Sequence, residues 1–393
     1  MTPVTEPIIV VGAGLAGYGV LRELRKLDAN VPLTLITADS GDFYSKPMLS
    51  TALSKGKDAA QLVSTAATVM AEQQRFSLYA NTRIERIDKR ARTVFTDRGE
   101  MRYSKLVLAL GGKPIRLPLS GDAADKVLSI NDLHDYSQFR LQLEGKRHVG
   151  IIGAGLIGCE FANDLSASGY SVSVIEPQSR ALANLVPAKT SEHLQAALSA
   201  QGVDWHFGQG VIAVDHCASG YVLVLADGGR IEADLVISAV GLRPRTELAA
   251  EAGLETRRGI NINTFGQTCD PHIYALGDCA EYPVGLCLYI TPIMATARAI
   301  AASALGTPIP IRFPPLSVIV KTSAYPLALL RPQDGLEGEW LESESDAHGM
   351  KLLFRDLRGL LAGYVLGGNR SSQRAELDRK VGMALEPDSP CTQ

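Results

Sequence analysis

The chain of 393 residues is long enough for two or three domains with a sizeable core. Its 46% hydrophobic and 21% charged residues describe an ordinary globular protein, and a net charge of −3 excludes a global attraction to nucleic acid or to a membrane surface. No apolar run approaches the ~18 residues of a bilayer-spanning helix, and no basic segment with an apolar stretch opens the chain, so neither membrane insertion nor a secretory signal is expected. The six cysteines show no C-x-x-C or C-x-x-x-x-C spacing. That argues against an iron–sulfur cluster, a zinc site and a local redox disulfide, and isolated thiols suit a reducing cytoplasm.

Ile8-Ile9-Val10-Val11 reads as a strand running into Gly12-Ala13-Gly14-Leu15-Ala16-Gly17. Leu15 to Asp28 reads as a helix, and Leu33 to Thr37 as a strand ending near Asp39. Tyr44-Ser45-Lys46-Pro47 is a compact loop. Arg83–Thr96 has the alternation of antiparallel strands, and Leu106 to Gly111 reads as a return strand. The pattern then repeats. His148 to Ile152 leads into Gly153-Ala154-Gly155-Leu156-Ile157-Gly158, followed by a helix to Ser168 closed by Gly169 and a strand from Ser171 to Ile175 ending at Glu176. Val211–Ala226 alternates, and Val236 to Gly241 returns. In each half an Asp, Asp97 or Asp227, lies fourteen positions before the closing glycine.

Beyond Leu242 no third copy begins. Ile273 to Asp278 is an apolar strand ending in a carboxylate, and a helix is expected from Pro292 to about Leu305 with Thr291 as its N-cap. From about Phe313 short strands are expected at Val318–Val320, Leu327–Leu329, Lys351–Phe354 and Gly363–Leu366, with a helix from Ser371 to Val381 and a frayed tail from Glu386. The fold class is therefore α/β: two Rossmann-like dinucleotide-binding domains, each with a β-meander, plus a small α+β C-terminal domain. The first domain is expected to be discontinuous, at 1–115 and 242–315. The second is expected at 116–241 and the third at 316–393.

Gly12 permits the tight turn after the strand, Gly14 lets backbone approach a pyrophosphate at the positive end of the helix, and Gly17 allows close packing of helix on sheet. Gly153, Gly155 and Gly158 play the same parts in the second copy. Glu176 ends its strand where a carboxylate accepts from both ribose hydroxyls and repels a 2′-phosphate, so NADH is preferred over NADPH, with Arg180 four residues on as the countervailing charge. In the first copy Thr37 and Ala38 hold the usual acidic position, which shifts the ribose contact to Asp39. Asp278 either accepts from a sugar-alcohol chain or caps a turn. Lys46, fixed by Pro47, and Glu160, in the first turn of the second glycine helix, are either a charge pair beside the redox centre or two unrelated surface charges. The scattered histidines form no metal or triad pattern, and no basic–aromatic interleaving suggests nucleic acid.

The sequence resembles the two-dinucleotide flavoprotein reductases related to glutathione reductase, and within them the rubredoxin–NAD reductases of bacterial alkane oxidation. The resemblance rests on Tyr44 to Ser50, Gly153 to Leu165, Ser238 to Pro244, Tyr274 to Glu281 and Val320-Lys321-Thr322. It implies FAD at Gly12, Gly14, Leu15, Ala16, Gly17, Asp39, Lys46 and Asp278, with Ile84, Ile290 and Lys321 as further flavin contacts. It implies NADH at Gly153, Gly155, Gly158, Glu176 and Gly241, with Glu160 at the junction and Lys46 and Glu160 as the catalytic residues.

Disulfide reductases of the wider family carry C-x-x-x-x-C after the first β-α-β, whereas Ser45 to Leu53 holds no cysteine. Electrons are then expected to leave the flavin singly for an external iron protein, rubredoxin, supplying an alkane hydroxylase. Lys46, Lys55, Lys57, Arg370 and Arg374 are the expected basic docking rim. The alternatives are a ferredoxin reductase of an oxygenase system and, in another class, a flavin- and NADH-binding signalling protein. An internal disulfide reductase is disfavoured by the missing thiols.

Overall fold

The computed structural model describes residues 6–384 except 288 and 347, so the tail from Glu386 and Cys391 lie outside the described residues. Contacts divide the chain into two units. One holds the chain up to Lys46, Ala59–Lys113 and Leu242–Pro314; the other holds Pro47–Asp58, Pro114–Gly241 and the chain from Pro315.

The first unit is built on a five-stranded parallel sheet. Ile8–Val11 lies at its centre, between Leu33–Ile36 and Lys105–Leu108, with Ser77–Tyr79 and Ile273–Ala275 at the edges. Both faces are covered, so the central strands are buried along their whole length rather than alternating, with Thr34 the one polar residue of the two. The helix Leu15–Leu27 buries Tyr18, Leu21 and Leu24 in one core with Ile293, Ala297 and Ile300 of the helix Ile290–Ala304. Gly19 faces the second helix, where a Cβ would stand at an ordinary contact distance of 3.6 Å from Ala297 Cβ. The meander is three antiparallel strands, Ile84–Asp88, Thr93–Thr96 and Gly99–Arg102.

The second unit repeats the plan with four parallel strands in the order Val203–Phe207, Ser171–Glu176, His148–Ile152, Leu235–Ser238. Its meander, Val211–Cys217, Gly220–Leu225 and Arg230–Ala233, packs Val214 and Leu223 against Ile152 and Val236. The C-terminal segment folds into a five-stranded antiparallel sheet in the order Val318–Val320, Leu327–Leu330, Leu361–Gly368, Gly349–Asp356, Gly338–Asp346.

Three local expectations are corrected. The helix expected from Pro292 begins at Ile290, so Thr291 lies inside the first turn and is not the N-cap, a position held by Tyr289. Proline lacks an N–H that no first-turn residue needs, so the helix can start ahead of it. The helix expected from Ser371 is a 3-10 turn over Asn369–Gln373 followed by an α-helix over Arg374–Lys380. The edge strand Gly338–Asp346 escapes sequence reading because its four acids obscure the period; cross-strand Arg355 and Lys351, opposite Glu339 and Glu344, offset them.

In both copies the third glycine of the motif meets backbone. A Cβ on Gly17 would stand 1.9 Å from Gly12 O, and one on Gly158 at 1.9 Å from Gly153 O. Above Gly14 and Gly155 nothing lies within 4 Å. We therefore expect Gly17→Ala or Gly158→Ala to cost about 3 kcal/mol of unfolding free energy. Gly14→Ala or Gly155→Ala, by contrast, should cost about 1 kcal/mol or less, as denaturant titration of the cofactor-free protein would show.

Candidate functional site

The first glycine turn excludes a side chain at Gly12 but leaves room above Gly14. Gly12 holds φ +105°, and a Cβ there would lie 2.3 Å from Ala109 O. The helix behind it, with Leu15 and Ala16 in its first turn, has no side-chain cap and no acidic residue in that turn. Backbone N–H groups at the positive end of a dipole, with open space before them, suit a pyrophosphate.

The turn at Gly277 presses on the same helix end, where a Cβ would stand 3.1 Å from Ala16 Cβ. That contact brings Asp278 to the glycine turn. Burial pushes the Asp278 carboxyl up, and the charge of Lys46 draws it partly back, so Asp278 and Lys46 share one environment. A carboxylate so desolvated is matched to hydroxyl donors. Asp39 is exposed just past the buried Thr37; its Oδ1 accepts from Thr37 Oγ1 at 2.6 Å and from the Gly41 N–H at 3.0 Å. Ile84 is half-buried at the start of its meander strand, and Ile290 is 44% exposed at the first helical position.

The second turn has the same construction. Gly153 holds φ +104°, a Cβ there would meet Ala239 O at 2.9 Å, and Gly155 caps a helix without a side-chain cap. Gly241 closes the return strand at φ +110° and its carbonyl accepts from the Ile115 N–H at 3.1 Å. Glu176 reaches over the glycine turn: Oε2 accepts from the Ala154 N–H at 2.8 Å and Oε1 from the Gln178 N–H at 3.0 Å. Each carboxylate oxygen has a second lone pair for a ribose hydroxyl, and a phosphate there would face an anion. Arg180 is turned into its own loop, donating to the Ala183 and Val186 carbonyls at 3.0 and 3.3 Å. It is thereby committed to backbone rather than offered to a 2′-phosphate.

Glu160 lies in the second turn of its helix, not the first, and its side chain has 0% exposure. Oε1 accepts from the Lys321 N–H at 2.9 Å, and Oε2 from Lys321 Nζ at 2.6 Å and from Ser50 Oγ at 2.5 Å. The remaining Nζ donors reach Pro47 O at 2.6 Å and Ser50 Oγ at 3.1 Å, so the ammonium is satisfied by three acceptors. The ion pair the structure gives Glu160 is thus with Lys321, where sequence reading pairs it with Lys46. Lys46 belongs to the other unit.

Two more side chains of this helix were missed. Asn163 accepts the Ala324 N–H at 3.0 Å and donates to Ser323 Oγ at 3.1 Å; Asp164 accepts the N–H groups of Leu53 and Ser54 at 2.9 and 3.0 Å. The signal was present: polar residues at 160, 163 and 164 share one helical face inside an apolar helix. Cys159 is buried, donates to Ala154 O and has its thiol pushed up by burial, which makes it a packed, inert thiol. Two arginines of the expected docking rim have acidic partners. Arg370 is paired with Glu344 and Asp346, and Arg374 with Asp378.

Two glycine cradles, one per unit, define a protein that binds two dinucleotides. The comparisons agree: residues 6–303 match the pyridine nucleotide-disulphide oxidoreductase family model, and residues 310–381 match a rubredoxin binding C-terminal domain. The chain belongs to the pyridine nucleotide-disulphide oxidoreductase family, whose chemistry uses FAD and NAD(H). It is 43% identical to the rubredoxin-NAD(+) reductase of Alcanivorax borkumensis, over 96% of this chain and 98% of that protein. It is 40% identical to the nitric oxide reductase FlRd-NAD(+) reductase of Aeromonas hydrophila, over 96% and 97%. A ferredoxin reductase from Rhodopseudomonas palustris superimposes with a TM-score of 0.88 at 28% identity, covering 97% of this chain and 96% of that one.

Two predictions follow from the buried groups. Lys321→Met should cost about 3–5 kcal/mol, because it strands a buried carboxylate, and adding Glu160→Gln should restore most of the loss in thermal unfolding. For Asp278 the folded chain holds the protonated form more tightly than the unfolded chain does. Its contribution is present below the ordinary carboxylate range and lost as pH rises through the raised value. Asp278→Asn should therefore raise the melting temperature of the cofactor-free protein at pH 7 and remove that pH dependence, while weakening FAD binding.

Proposed function

We propose that this chain is an FAD-dependent electron-transfer reductase that oxidises NADH and passes electrons singly to rubredoxin. The observation that carries the reading is the duplication: two open glycine turns, each at an uncapped helix, with no cysteine between Ser45 and Leu53 to relay electrons through a disulfide. The rubredoxin binding C-terminal model and the 43% identical reductase support rubredoxin as acceptor. Relatives' names differ downstream, and an alkane hydroxylase is the destination the sequence resemblance favours.

We assign FAD to residues 1–115 and 242–315, NADH to 116–241, and acceptor docking to 316–393. Bound FAD supplies two-electron acceptance from NADH and one-electron release, which a one-electron iron protein requires. The protein's own part is positioning and electrostatics. The N–H groups behind Gly14 hold the FAD pyrophosphate, Asp278 accepts from the ribityl hydroxyls, and Asp39 takes the ribose. Lys46 supplies positive charge to the reduced ring. The N–H groups behind Gly155 hold the NADH pyrophosphate, Glu176 accepts its ribose hydroxyls, and the Glu160–Lys321 pair fixes Pro47 and Ser50 within the same unit. No described helix is long and apolar enough to cross a membrane, and the five described cysteines are unpaired, which supports a cytoplasmic protein.

A ferredoxin reductase is the second reading, favoured by the Rhodopseudomonas structure. Anaerobic NADH should bleach the flavin band of the purified yellow protein. Stopped-flow reoxidation should then be faster with rubredoxin than with ferredoxin; the reverse order would establish the second reading. Lys55→Glu with Lys57→Glu should lower the rubredoxin rate about tenfold at low salt and flatten its salt dependence. Arg370→Glu should act on stability instead, because that arginine is already paired.

A further inference from the structure

The loop that follows Glu176 folds back onto the second glycine turn. Its residues, the turn itself and the helix Ala188–Ser199 beyond it all belong to the second unit. Within the loop Leu182 is 2% exposed and holds φ +52°. Among the described residues Arg75, Asn81 and Arg92 are the other non-glycine positions with positive φ, and all three are exposed. A buried leucine in the left-handed region is costly, and it persists only where its surroundings over-determine it. Here they do. Ala181, just before it, gives its N–H to Gln195 Oε1 at 3.1 Å and accepts the Ser191 hydroxyl on its carbonyl at 2.6 Å. The Leu182 carbonyl accepts from the Leu185 and Val186 N–H groups at 2.8 and 3.2 Å.

The Leu182 N–H is directed out of the loop, and it donates to Ala154 O at 2.9 Å. Cys159 Sγ also reaches that oxygen, at 3.4 Å, but a thiol is a weak donor. Glu176 holds a different peptide, because the Ala154 N–H it accepts belongs to the Gly153–Ala154 bond. The Ala154–Gly155 peptide is therefore oriented chiefly by Leu182. That peptide is planar and trans, so its carbonyl and its N–H point in opposite directions. Holding the carbonyl toward the loop turns the Gly155 N–H away from it, at the helix end that carries no side-chain cap.

We propose that Leu182 is a positioning residue for NADH: from its left-handed conformation it clamps the Ala154 carbonyl and so aims the Gly155 N–H at the pyrophosphate, acting through the turn. The proposal rests on the assignment of NADH to the second cradle.

The test uses full-length holoprotein carrying Leu182→Val or Leu182→Gly. Valine keeps apolar bulk but resists a positive φ, whereas glycine accepts that φ and gives up the buried side chain. Hydrogen exchange reads the residue-182 amide, and anaerobic stopped flow reads flavin bleaching over a range of NADH concentrations. Leu182→Val should lose protection at that amide and raise the half-saturating NADH concentration about tenfold, with the limiting bleaching rate unchanged. Leu182→Gly should keep the protection and raise that concentration less than about threefold. The opposite order, glycine worse than valine, is the signature of a side chain needed only for packing and would overturn the proposal. So would lost protection in Leu182→Val with an unchanged half-saturating concentration. If Leu182→Val fails to fold or keeps its protection, the α-hydroxy analogue of leucine at 182, which lacks the N–H itself, decides: the same rise supports the clamp and an unchanged value ends it. A wild-type protein that neither binds NADH nor is bleached by it would overturn the assignment of NADH to the second cradle, while exchange at residue 182 would still judge the clamp by itself.

Discussion

A carboxylate with no exposed surface must be given donors, and Glu160 draws its donors from stretches far away in sequence. Ser50 lies 110 residues before it and Lys321 lies 161 after it. Removing water from two charges is costly, and the return comes only when geometry satisfies both groups. Here each Nζ hydrogen of Lys321 has an acceptor and each Glu160 oxygen a donor. This condition holds the segment after Lys46 and the strand ending at Val320 on one helix. Removing Lys321 would leave the buried carboxylate without its counter-charge, whereas the Lys321 side chain keeps 32% of its surface exposed, so the cost of breaking the pair falls on Glu160.

The same helix does two kinds of work at different positions. Its N-terminus stays bare: Gly155 has no side-chain cap, and the space above it is open. Its flank is fully committed, through Glu160, Asn163 and Asp164, to neighbours within the unit. The first glycine helix is equally bare at its start, but its flank is apolar, with Tyr18, Leu21 and Leu24 packed into core. One cradle was thus built twice and finished differently. A bare helix end serves any pyrophosphate, whereas the flank decides what else the helix holds.

The strand ends diverge as well. Glu176 bridges back to Ala154 and lies over the turn. The corresponding place in the first copy holds the buried Thr37, which ties to Asp39 two residues farther out. A short carboxylate thus stands beyond the strand end in the first copy and a long one at the strand end in the second. Arg180, whose sign suggests a phosphate, is spent on backbone carbonyls instead.

What sequence alone determined is everything governed by local geometry and periodicity. The glycines at 12 and 153 announce turns that no side chain fits, those at 17 and 158 a close approach of helix to turn, and those at 14 and 155 an open helix end; apolar runs ending in them announce parallel strands. The internal repeat and the absence of a thiol pair at 45–53 needed no coordinates either. Tertiary structure alone decided which charges meet. Lys321 rather than Lys46 is the partner shown for Glu160, and Asp164 grips a loop 110 residues away. Arg370 and Arg374 are neutralised by acids of their own domain. The physical reason is range: backbone conformation is set by the nearest few residues, but a salt bridge depends on distances through space, and those exist only once the chain has folded.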